Sequence, residues 1–396
     1  MQVLWSLCNG ILDDQMKRAI RGRNPNDGRS IEVIVEDGRV QAVVEGGGGE
    51  EAWLSPGLID LQVNGYGGDD VNLDYADPEV IHSLTRKMIA TGVTTYLPTI
   101  ITASEAKITM ALGAVAEARR CSKLVADTVP YVHVEGPNIS PIDGYRGAHS
   151  EEHVRPPSVA EFGRWQQASG GLVGMVTLSP HWQGVEDYVF RLSHDGVYVA
   201  IGHTNATPEQ IRRAVDAGAK LSTHLGNGSP GMIPRHANAL WPQLADDRLT
   251  ATLIADGHHL PDDMLKTIVR AKGTERCILV SDAVSVAGLP PGRYETPVGG
   301  KVELHKNGRL SLAETEFLAG ATLPLKDGIL RAVSCAGISL AEALRMATAN
   351  PGRFVRGIGT LRPGASANLI RFTIADNSGS LTIERVWVNG EEWSGA

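Results

Sequence analysis

Four side chains of the kinds that bind metal ions or transfer protons end apolar stretches with the character of buried strands. They are Glu135 in YVHVE, His203 in VAIGH, His224 in KLSTH and Asp282 in ILVSD. A lone buried carboxylate takes up a proton rather than stay charged, so Glu135 needs a positive partner. One glutamate, two histidines and one aspartate that converge suit a divalent cation such as zinc. The pattern predicts a metal site at which the cation keeps Glu135 ionised.

Each of these residues also has an ordinary structural interpretation. A single histidine at a strand end is more often a hydrogen-bonded structural residue than a ligand. Asp282 alone could cap the following loop, and Glu135 alone could pair with an arginine. His133 shares a strand face with Glu135 but sits deeper, so it is the weaker candidate, and His194 and His305 have the character of surface residues. The joint placement of all four residues favours the metal site.

The segments that must position these side chains alternate between strand and helix patterns. The strand candidates number eight: GLIDLQVNG, TTYLPTI, PYVHVEG, GLVGMVTLSP, YVAIGHT, KLSTHLGN, TATLIADG and CILVSDA. Several are separated by stretches whose apolar residues recur at three- and four-residue spacing. One of these stretches has Thr207 as N-cap, Pro208 at the first helical position and Gln210 in a capping box. We therefore predict an α/β fold with a (β/α)8 TIM-type barrel, in which chemistry collects at the C-terminal strand ends.

The two ends of the chain have strand patterns without helices. The segment SIEVIVEDGRVQAVV places Asp37–Gly38 in a tight hairpin turn, and Gly46–Gly49 is expected to form a flexible loop. The C-terminal segment is predicted to form strands broken at Asn377–Ser380 and at Asn389–Gly390. We expect these two ends to pair into one small β domain.

Composition argues against several classes of partner. The 396 residues carry a net charge of -8, which gives no basic surface for nucleic acid. The cysteines Cys8, Cys121, Cys277 and Cys335 lie far apart, so neither a disulfide framework nor a thiolate metal site is expected, and a reducing cytoplasm fits best. No apolar leader and no uninterrupted run of about 18 apolar residues is visible. We expect a cytoplasmic protein without a membrane partner.

Six segments occur in a specific order: SPGLIDLQVNGYGG, HVEGPNISPIDGYRGAHS, IGHTNATPEQIRRAVDAGAKLSTHLGNG, IADGHHL, LVSDAVS and LAGATLPLKDGI. As a set, and over nearly the whole chain, they resemble the N-acetylglucosamine-6-phosphate deacetylase family of the amidohydrolase superfamily. The resemblance implies a barrel domain at 57–355, a small β-sandwich domain from 1–56 and 356–396, and a homodimer. The implied reaction converts N-acetylglucosamine 6-phosphate into glucosamine 6-phosphate and acetate.

The resemblance also implies roles for individual residues. Glu135, His203 and His224 match the family's metal ligands, Asp282 its general base, and His149 in RGAHS the histidine that polarises the scissile carbonyl. Zinc with three protein ligands keeps a position for water, whose pKa falls to about 7. Asp282 would take the proton of this water and return it to the leaving amine.

The sequence departs from the superfamily pattern at two places. Many amidohydrolases have an H-x-H pair on the first strand, where this chain has Gln62-Val63-Asn64, which favours one divalent ion per chain. After THL the chain continues GNGSPGMIPRH, where the family usually has asparagine, alanine and methionine. The substrate contacts implied by the resemblance are Gln62, Asn227, Gly228, Arg235, His259 and Ala321.

The donors for a 6-phosphate group survive this change of loop. His259 matches a family histidine, and Arg235 matches an arginine that reaches in from the other subunit. Gly226 and Gly228 can expose backbone N–H groups to an anion. Arg235 could instead be a dimer-surface residue paired with an acid. Two further alternatives stay open: hydrolysis of an unphosphorylated amino sugar or another N-acyl compound, and a non-catalytic barrel that binds a sugar.

Overall fold

The computed structural model describes residues 17–297, 300–315, 317–375 and 380–393. Cys8 and most of the turn predicted at Asn377–Ser380 lie outside these residues. The described strands are β1 (Arg18–Arg23), β2 (Ser30–Glu36), β3 (Arg39–Glu45), β4 (Trp53–Pro56), β5 (Leu58–Val63), β6 (Gly65–Tyr66), β7 (Asp69–Asp70), β8 (Val93–Ile101), β9 (Val132–Glu135), β10 (Val173–Leu178), β11 (Tyr198–Ile201), β12 (Leu221–Ser222), β13 (Thr250–Ile254), β14 (Cys277–Val280), β15 (Gly292–Thr296), β16 (Gly300–Leu304), β17 (Leu310–Leu312), β18 (Leu369–Ile374), β19 (Leu381–Val388) and β20 (Glu391–Trp393).

The helices alternate with the strands of the central region. In the described residues they are α1 (Pro78–Ala90), α2 (Glu105–Cys121), α3 (Lys123–Thr128), α4 (Val159–Ser169), α5 (Val185–His194), α6 (Pro208–Asp216), α7 (Leu240–Ala245), α8 (Asp262–Lys272), α9 (Leu325–Ala336), α10 (Leu340–Met346) and α11 (Ala349–Gly352), with 3-10 turns at Glu151–His153 and Thr274–Arg276. The capping box predicted for α6 is present, because the Thr207 side chain accepts from the Gln210 N–H and the Gln210 side chain accepts from the Thr207 N–H.

The eight predicted central strands form one parallel sheet in the order β5, β8, β9, β10, β11, β12, β13, β14. The first and last strands meet where Val63 bridges Ala283 and where the Asp282 N–H donates to the Gln62 carbonyl at 3.0 Å. The sheet therefore closes into a barrel, which confirms the predicted fold.

Two apolar layers hold the barrel together. The inside is filled by side chains that are at most 3% exposed: Ile59, Leu61, Leu97, Met175, Ala200, Leu221, Ile254, Ile278 and Val280. A larger cluster packs the outer faces of the strands against the helices, with Ile81 and Leu84 of α1 and Leu265 and Ile268 of α8 among its members. Because the inside is packed rather than open, a ligand can enter only at an end of the barrel.

The two ends of the chain form one seven-stranded sheet, as predicted, in the order β20, β19, β18, β4, β1, β2, β3. Its pairs are antiparallel except β1 with β4. Arg39 at the start of β3 also bridges Ser366, which lies just before β18, so the sheet curls back on itself around a buried core that includes Val33 and Leu369. Two of the three predicted turns lie in the described residues and are present, with positive φ at Asp37–Gly38 and at Asn389–Gly390.

A three-stranded antiparallel sheet of β15, β16 and β17 is inserted after the last barrel strand, and the sequence analysis did not predict it. Its own small core contains Val302, Leu304 and Leu310, which pack with Val284 and Val286 from the loop after β14. This packing fixes the inserted sheet next to the C-terminal end of the barrel. None of the described helices has both the length and the apolar character needed to cross a membrane.

Candidate active site

The four side chains that opened the sequence analysis meet at the C-terminal end of the barrel. Glu135 is the last residue of β9, and His203, His224 and Asp282 each follow a strand by two residues. Glu135, His203 and His224 are buried, and Asp282 is half-buried. The three residues that follow strands have φ of 45°, 31° and 51°, a left-handed conformation that costs free energy for a residue with a Cβ. The surrounding structure thus holds the chain in disfavoured turns at the places where these side chains enter the site.

Glu135 is the centre of the cluster. Its Oε1 lies 3.0 Å from the Gln62 Nε2, 3.0 Å from the His224 Nε2 and 3.4 Å from the His203 Nε2. Burial acts to raise the pKa of Glu135, but its interactions with the His203 and His224 rings outweigh burial and hold the pKa well below its usual range. The carboxylate is therefore charged and faces two ring nitrogens.

The ring nitrogens of the cluster are oriented for a cation. The His203 Nδ1 lies 2.9 Å from the Tyr145 carbonyl, to which it donates, so the Nε2 of a neutral ring carries the lone pair. That Nε2 lies 3.1 Å from the His224 Nε2. The His224 Nδ1 is buried and has no hydrogen-bond partner among the described residues. One carboxylate oxygen and two imidazole nitrogens that point at one another are a donor set that fits a borderline divalent metal such as zinc.

His149 lies beside this cluster, in the loop between β9 and α4. Its ring centroid is 4.4 Å from that of His203, and Glu135, His149 and His203 offer ligand atoms within 4.8 Å of one another. The His149 Nδ1 lies 2.8 Å from the Thr102 Oγ1. Burial, reinforced by the nearby His203, lowers the pKa of His149 to about 3, so the ring is neutral at neutral pH. When the Thr102 hydroxyl donates to Nδ1, the Nε2 of His149 carries the N–H and can donate to a substrate.

Asp282 has an environment that favours proton uptake. Burial, reinforced by the negative charge of Glu135, raises its pKa to about 8. Its Oδ1 accepts a hydrogen bond from the Asn64 Nδ2 at 2.8 Å, which orients the carboxyl group. A carboxyl group whose pKa lies near neutrality is suited to exchange protons with a reacting molecule.

These groups line a cavity of about 420 Å³. Asn227, Gly228 and His259 form part of its wall. The His259 Nδ1 donates to the Asp256 Oδ2 at 2.7 Å, which orients the ring and leaves its Nε2 as the second polar atom. Gly228 has φ of 59°, and a Cβ there would lie 2.9 Å from the His203 Nδ1, so glycine is required at this position. Polar groups thus extend from the buried cluster along this part of the wall.

Three predicted substrate contacts lie away from the cavity surface of this chain. Gln62 is buried behind Glu135. Ala321 is buried beside the last strand, where its carbonyl accepts from the Val284 N–H at 3.1 Å. Arg235 is exposed and is not among the described residues that line the cavity. Their roles toward a substrate stay predictions.

His133, the weaker candidate for a metal ligand, has a structural role. Its Nδ1 lies 3.1 Å from the Leu61 carbonyl and its Nε2 lies 2.8 Å from the Thr177 hydroxyl, inside the barrel. Both ring nitrogens therefore have partners away from the cavity. By contrast, Asn64, Thr102 and Tyr145 contact the site residues, although no sequence pattern predicted a role for them. The position of Asn64 two residues after Gln62 was the only feature of the sequence that could have indicated a role for Asn64. The contact of Tyr145 could not have been predicted from its residue type, because it is made by the backbone carbonyl.

The chain is similar to known proteins over most of its length. The family model of the amidohydrolase family matches residues 53–392. The N-acetylgalactosamine-6-phosphate deacetylase of Escherichia coli O157:H7 is 35% identical over 343 residues, 85% of this chain and 87% of that protein. The N-acetylglucosamine-6-phosphate deacetylase of Bacillus subtilis is 32% identical over 306 residues, 76% of this chain and 75% of that protein. The crystal structure of the N-acetyl-D-glucosamine-6-phosphate deacetylase from Mycobacterium smegmatis superposes with a TM-score of 0.83 at 29% identity, covering 92% of this chain and 95% of that one. The chain therefore belongs to the amidohydrolase family.

Proposed function

We propose that this protein hydrolyses the acetamide of an N-acetylated hexosamine 6-phosphate, with N-acetylglucosamine 6-phosphate as substrate and acetate and glucosamine 6-phosphate as products. The observation that carries the proposal is the convergence of His203 and His224 on the charged carboxylate of Glu135, beside the half-buried Asp282. Relatives that share at least 30% identity over most of the chain are named deacetylases of N-acetylglucosamine or N-acetylgalactosamine 6-phosphate.

We assign the chemistry to residues as follows. Glu135, His203 and His224 hold one divalent metal ion per chain, with zinc as the expected ion. When bound, such an ion polarises a carbonyl and lowers the pKa of a bound water to about 7. Asp282 takes the proton of the attacking water as a carboxylate and delivers it to the leaving nitrogen as a carboxylic acid. His149 donates from Nε2 to the carbonyl oxygen, on which negative charge develops during the attack.

The 6-phosphate is assigned to the polar part of the cavity wall. The backbone N–H groups around Gly226 and Gly228 and the side chain of His259 are the donors that this chain offers. Both glycines have positive φ, which lets the backbone turn its N–H groups toward an anion. We further propose that the protein is a homodimer in which Arg235 reaches the phosphate of the other subunit. The three described cysteines are free, which supports a cytoplasmic location.

One assay tests this function against its alternatives. The zinc-loaded protein is given N-acetylglucosamine and N-acetylgalactosamine, each free and as the 6-phosphate, and acetate release is measured. We expect release from a 6-phosphate in preference to the free sugars. Both epimers are included because the relatives carry both names. A preference for the free sugars would assign the site to unphosphorylated substrates, and no release from any of the four, with zinc bound, would overturn the proposal.

A further inference from the structure

The cavity wall has an apolar part that the proposed chemistry does not use. It is formed by Leu312, Phe317 and Leu318 at the end of the inserted sheet, together with Val284. Single exposed apolar side chains are common on protein surfaces and need no explanation. Here the exposed Phe317, the half-buried Leu312 and Leu318 and the buried Val284 all line the cavity that contains the buried cluster. Such a surface indicates a ligand with an apolar face.

Phe317 is the most exposed member of this wall. Its exposed fraction is 72%, whereas Glu135 in the same cavity is 3% exposed. Phe317 therefore lies at the rim of the cavity and Glu135 at the bottom. Its backbone is nevertheless fixed, because the Phe317 N–H donates to the Thr315 Oγ1 at 3.2 Å and the Phe317 carbonyl accepts from the Leu312 N–H at 2.9 Å. An aromatic ring on a fixed backbone at the rim is positioned to contact a ligand without first ordering the chain.

The place of Phe317 decides which part of the substrate it meets. The acetamide must reach the buried Glu135 and its histidines, so it occupies the bottom of the cavity. The phosphate needs hydrogen-bond donors, and the side chains of the apolar wall supply none, whereas Asn227 and His259 line the part of the cavity around Gly228. The sugar ring is therefore the part of the substrate that contacts the apolar wall. In both hexosamine epimers the hydrogens of C3 and C5 lie on the same ring face, and this face offers C–H groups to an aromatic surface.

We propose that Phe317 is a substrate-binding residue, whose ring packs on the C–H face of the hexosamine; this inference rests on the proposed function. The contact forms equally with bound substrate and with the transition state, because the sugar ring does not change during hydrolysis of its acetamide. It therefore contributes to KM and leaves kcat nearly unchanged. Since Phe317 is mostly exposed, its removal leaves no cavity in the protein core.

The test compares two exposed phenylalanines. Phe317→Ala is compared with Phe190→Ala, because Phe190 on α5 is 62% exposed and is not among the described residues that line the cavity. Steady-state kinetics are measured with both N-acetylhexosamine 6-phosphates. We expect KM of Phe317→Ala to rise about tenfold with kcat within about twofold of wild type, where tenfold corresponds to about 1.4 kcal/mol. Phe190→Ala should have wild-type kinetics, and Phe317→Trp should restore a low KM.

The kinetic results distinguish a failure of this inference from a failure of the proposed function. Acetate release by wild type with an unchanged KM in Phe317→Ala would overturn the inference and leave the proposed function intact. A fall in kcat without a change in KM would also overturn it, because it would indicate a disturbed catalytic group. If the wild-type protein releases no acetate, the proposed function and this inference fall together.

Discussion

The Nε2 atoms of His203 and His224 lie 3.1 Å apart. Two neutral rings that both present lone pairs at this distance repel each other, so the contact requires either an N–H on the His224 Nε2 or a positive charge between or beside the two nitrogens. A proton could supply that charge, and so could a metal ion held also by the Glu135 oxygen 3.0 Å from His224. A metal ion satisfies all three groups at once, since each is an anionic or lone-pair donor.

The first prediction concerns this metal ion. Purified protein loaded with zinc and dialysed should retain close to one ion per chain, measured by elemental analysis, and His224→Ala should lose it. The matched control is His194→Ala, because His194 is exposed on α5 and should not affect zinc content. Loaded protein should also unfold at a higher temperature than chelator-treated protein, since an ion that binds only the folded state stabilises it. Two tightly held ions, or an equal zinc content in both variants, would contradict the assignment.

The second prediction separates proton transfer from metal binding. Asp282→Asn keeps a side-chain oxygen that can accept from the Asn64 amide, so the site should stay assembled and zinc should remain bound. Loss of a general base should lower kcat by about 10² to 10⁴. The measurement is acetate release at saturating substrate, together with zinc content of the same sample. Near-normal turnover in this variant would place the base on another residue.

The sequence predicted the barrel and the buried cluster because both depend on local patterns. Each barrel strand is an apolar run with a clear end. The sequence alone shows that Glu135, His203, His224 and Asp282 lie at such ends. The capping box of α6 is equally local. His149 lies in a loop, so no periodicity placed it, and only resemblance to a family did.

What sequence reasoning missed depends on contacts between distant segments. Tyr145 contributes a backbone carbonyl to His203, and every residue has such a carbonyl. Thr102 contacts His149 from 47 positions earlier in the chain. The inserted sheet has short strands, and β15 (Gly292–Thr296) alternates only between half-buried and exposed residues, so its sequence GRYET gives a weak apolar signal. The apolar wall with Phe317 was therefore invisible before the structure was known.

The third prediction concerns pH and stability. Asp60 is fully buried, accepts from the backbone N–H groups of Gln62 and Ser281, and burial raises its pKa from 3.8 to about 7. The folded state therefore holds this proton between about pH 4 and 7 while the unfolded state releases it. The stability that protonation contributes is complete below about pH 4 and is lost as the pH rises to about 7.

Asp60→Asn tests this dependence, since asparagine stays neutral at every pH. Denaturant unfolding of chelator-treated wild type and variant is compared at pH 5 and pH 8. We expect the free energy of unfolding of the variant, relative to wild type, to be higher at pH 8 than at pH 5. The same difference at both values would show that Asp60 is ionised in the folded protein throughout this range.

The fourth prediction concerns Arg235, which is exposed and lies outside the cavity of its own chain. If it binds the phosphate of the other subunit, Arg235→Ala should lower kcat/KM on the phosphorylated sugar at least tenfold, because charge-assisted bonds contribute about 1.5 to 3 kcal/mol each. Any activity on the free sugar should change little. Arg191→Ala, another exposed arginine, serves as the control and should leave both activities unchanged.

Mixed dimers decide from which subunit the arginine acts. A dimer of one Arg235→Ala chain and one Asp282→Asn chain is purified through two different affinity tags. If Arg235 crosses the interface, the chain with intact Asp282 receives Arg235 from its partner, so one complete site forms and about half of the wild-type activity returns. If Arg235 serves its own chain, one site lacks the arginine and the other lacks the aspartate, so activity stays as low as in the two parent variants. If the protein is a monomer in solution, Arg235 cannot bind the phosphate in another subunit's cavity, because no second subunit is present.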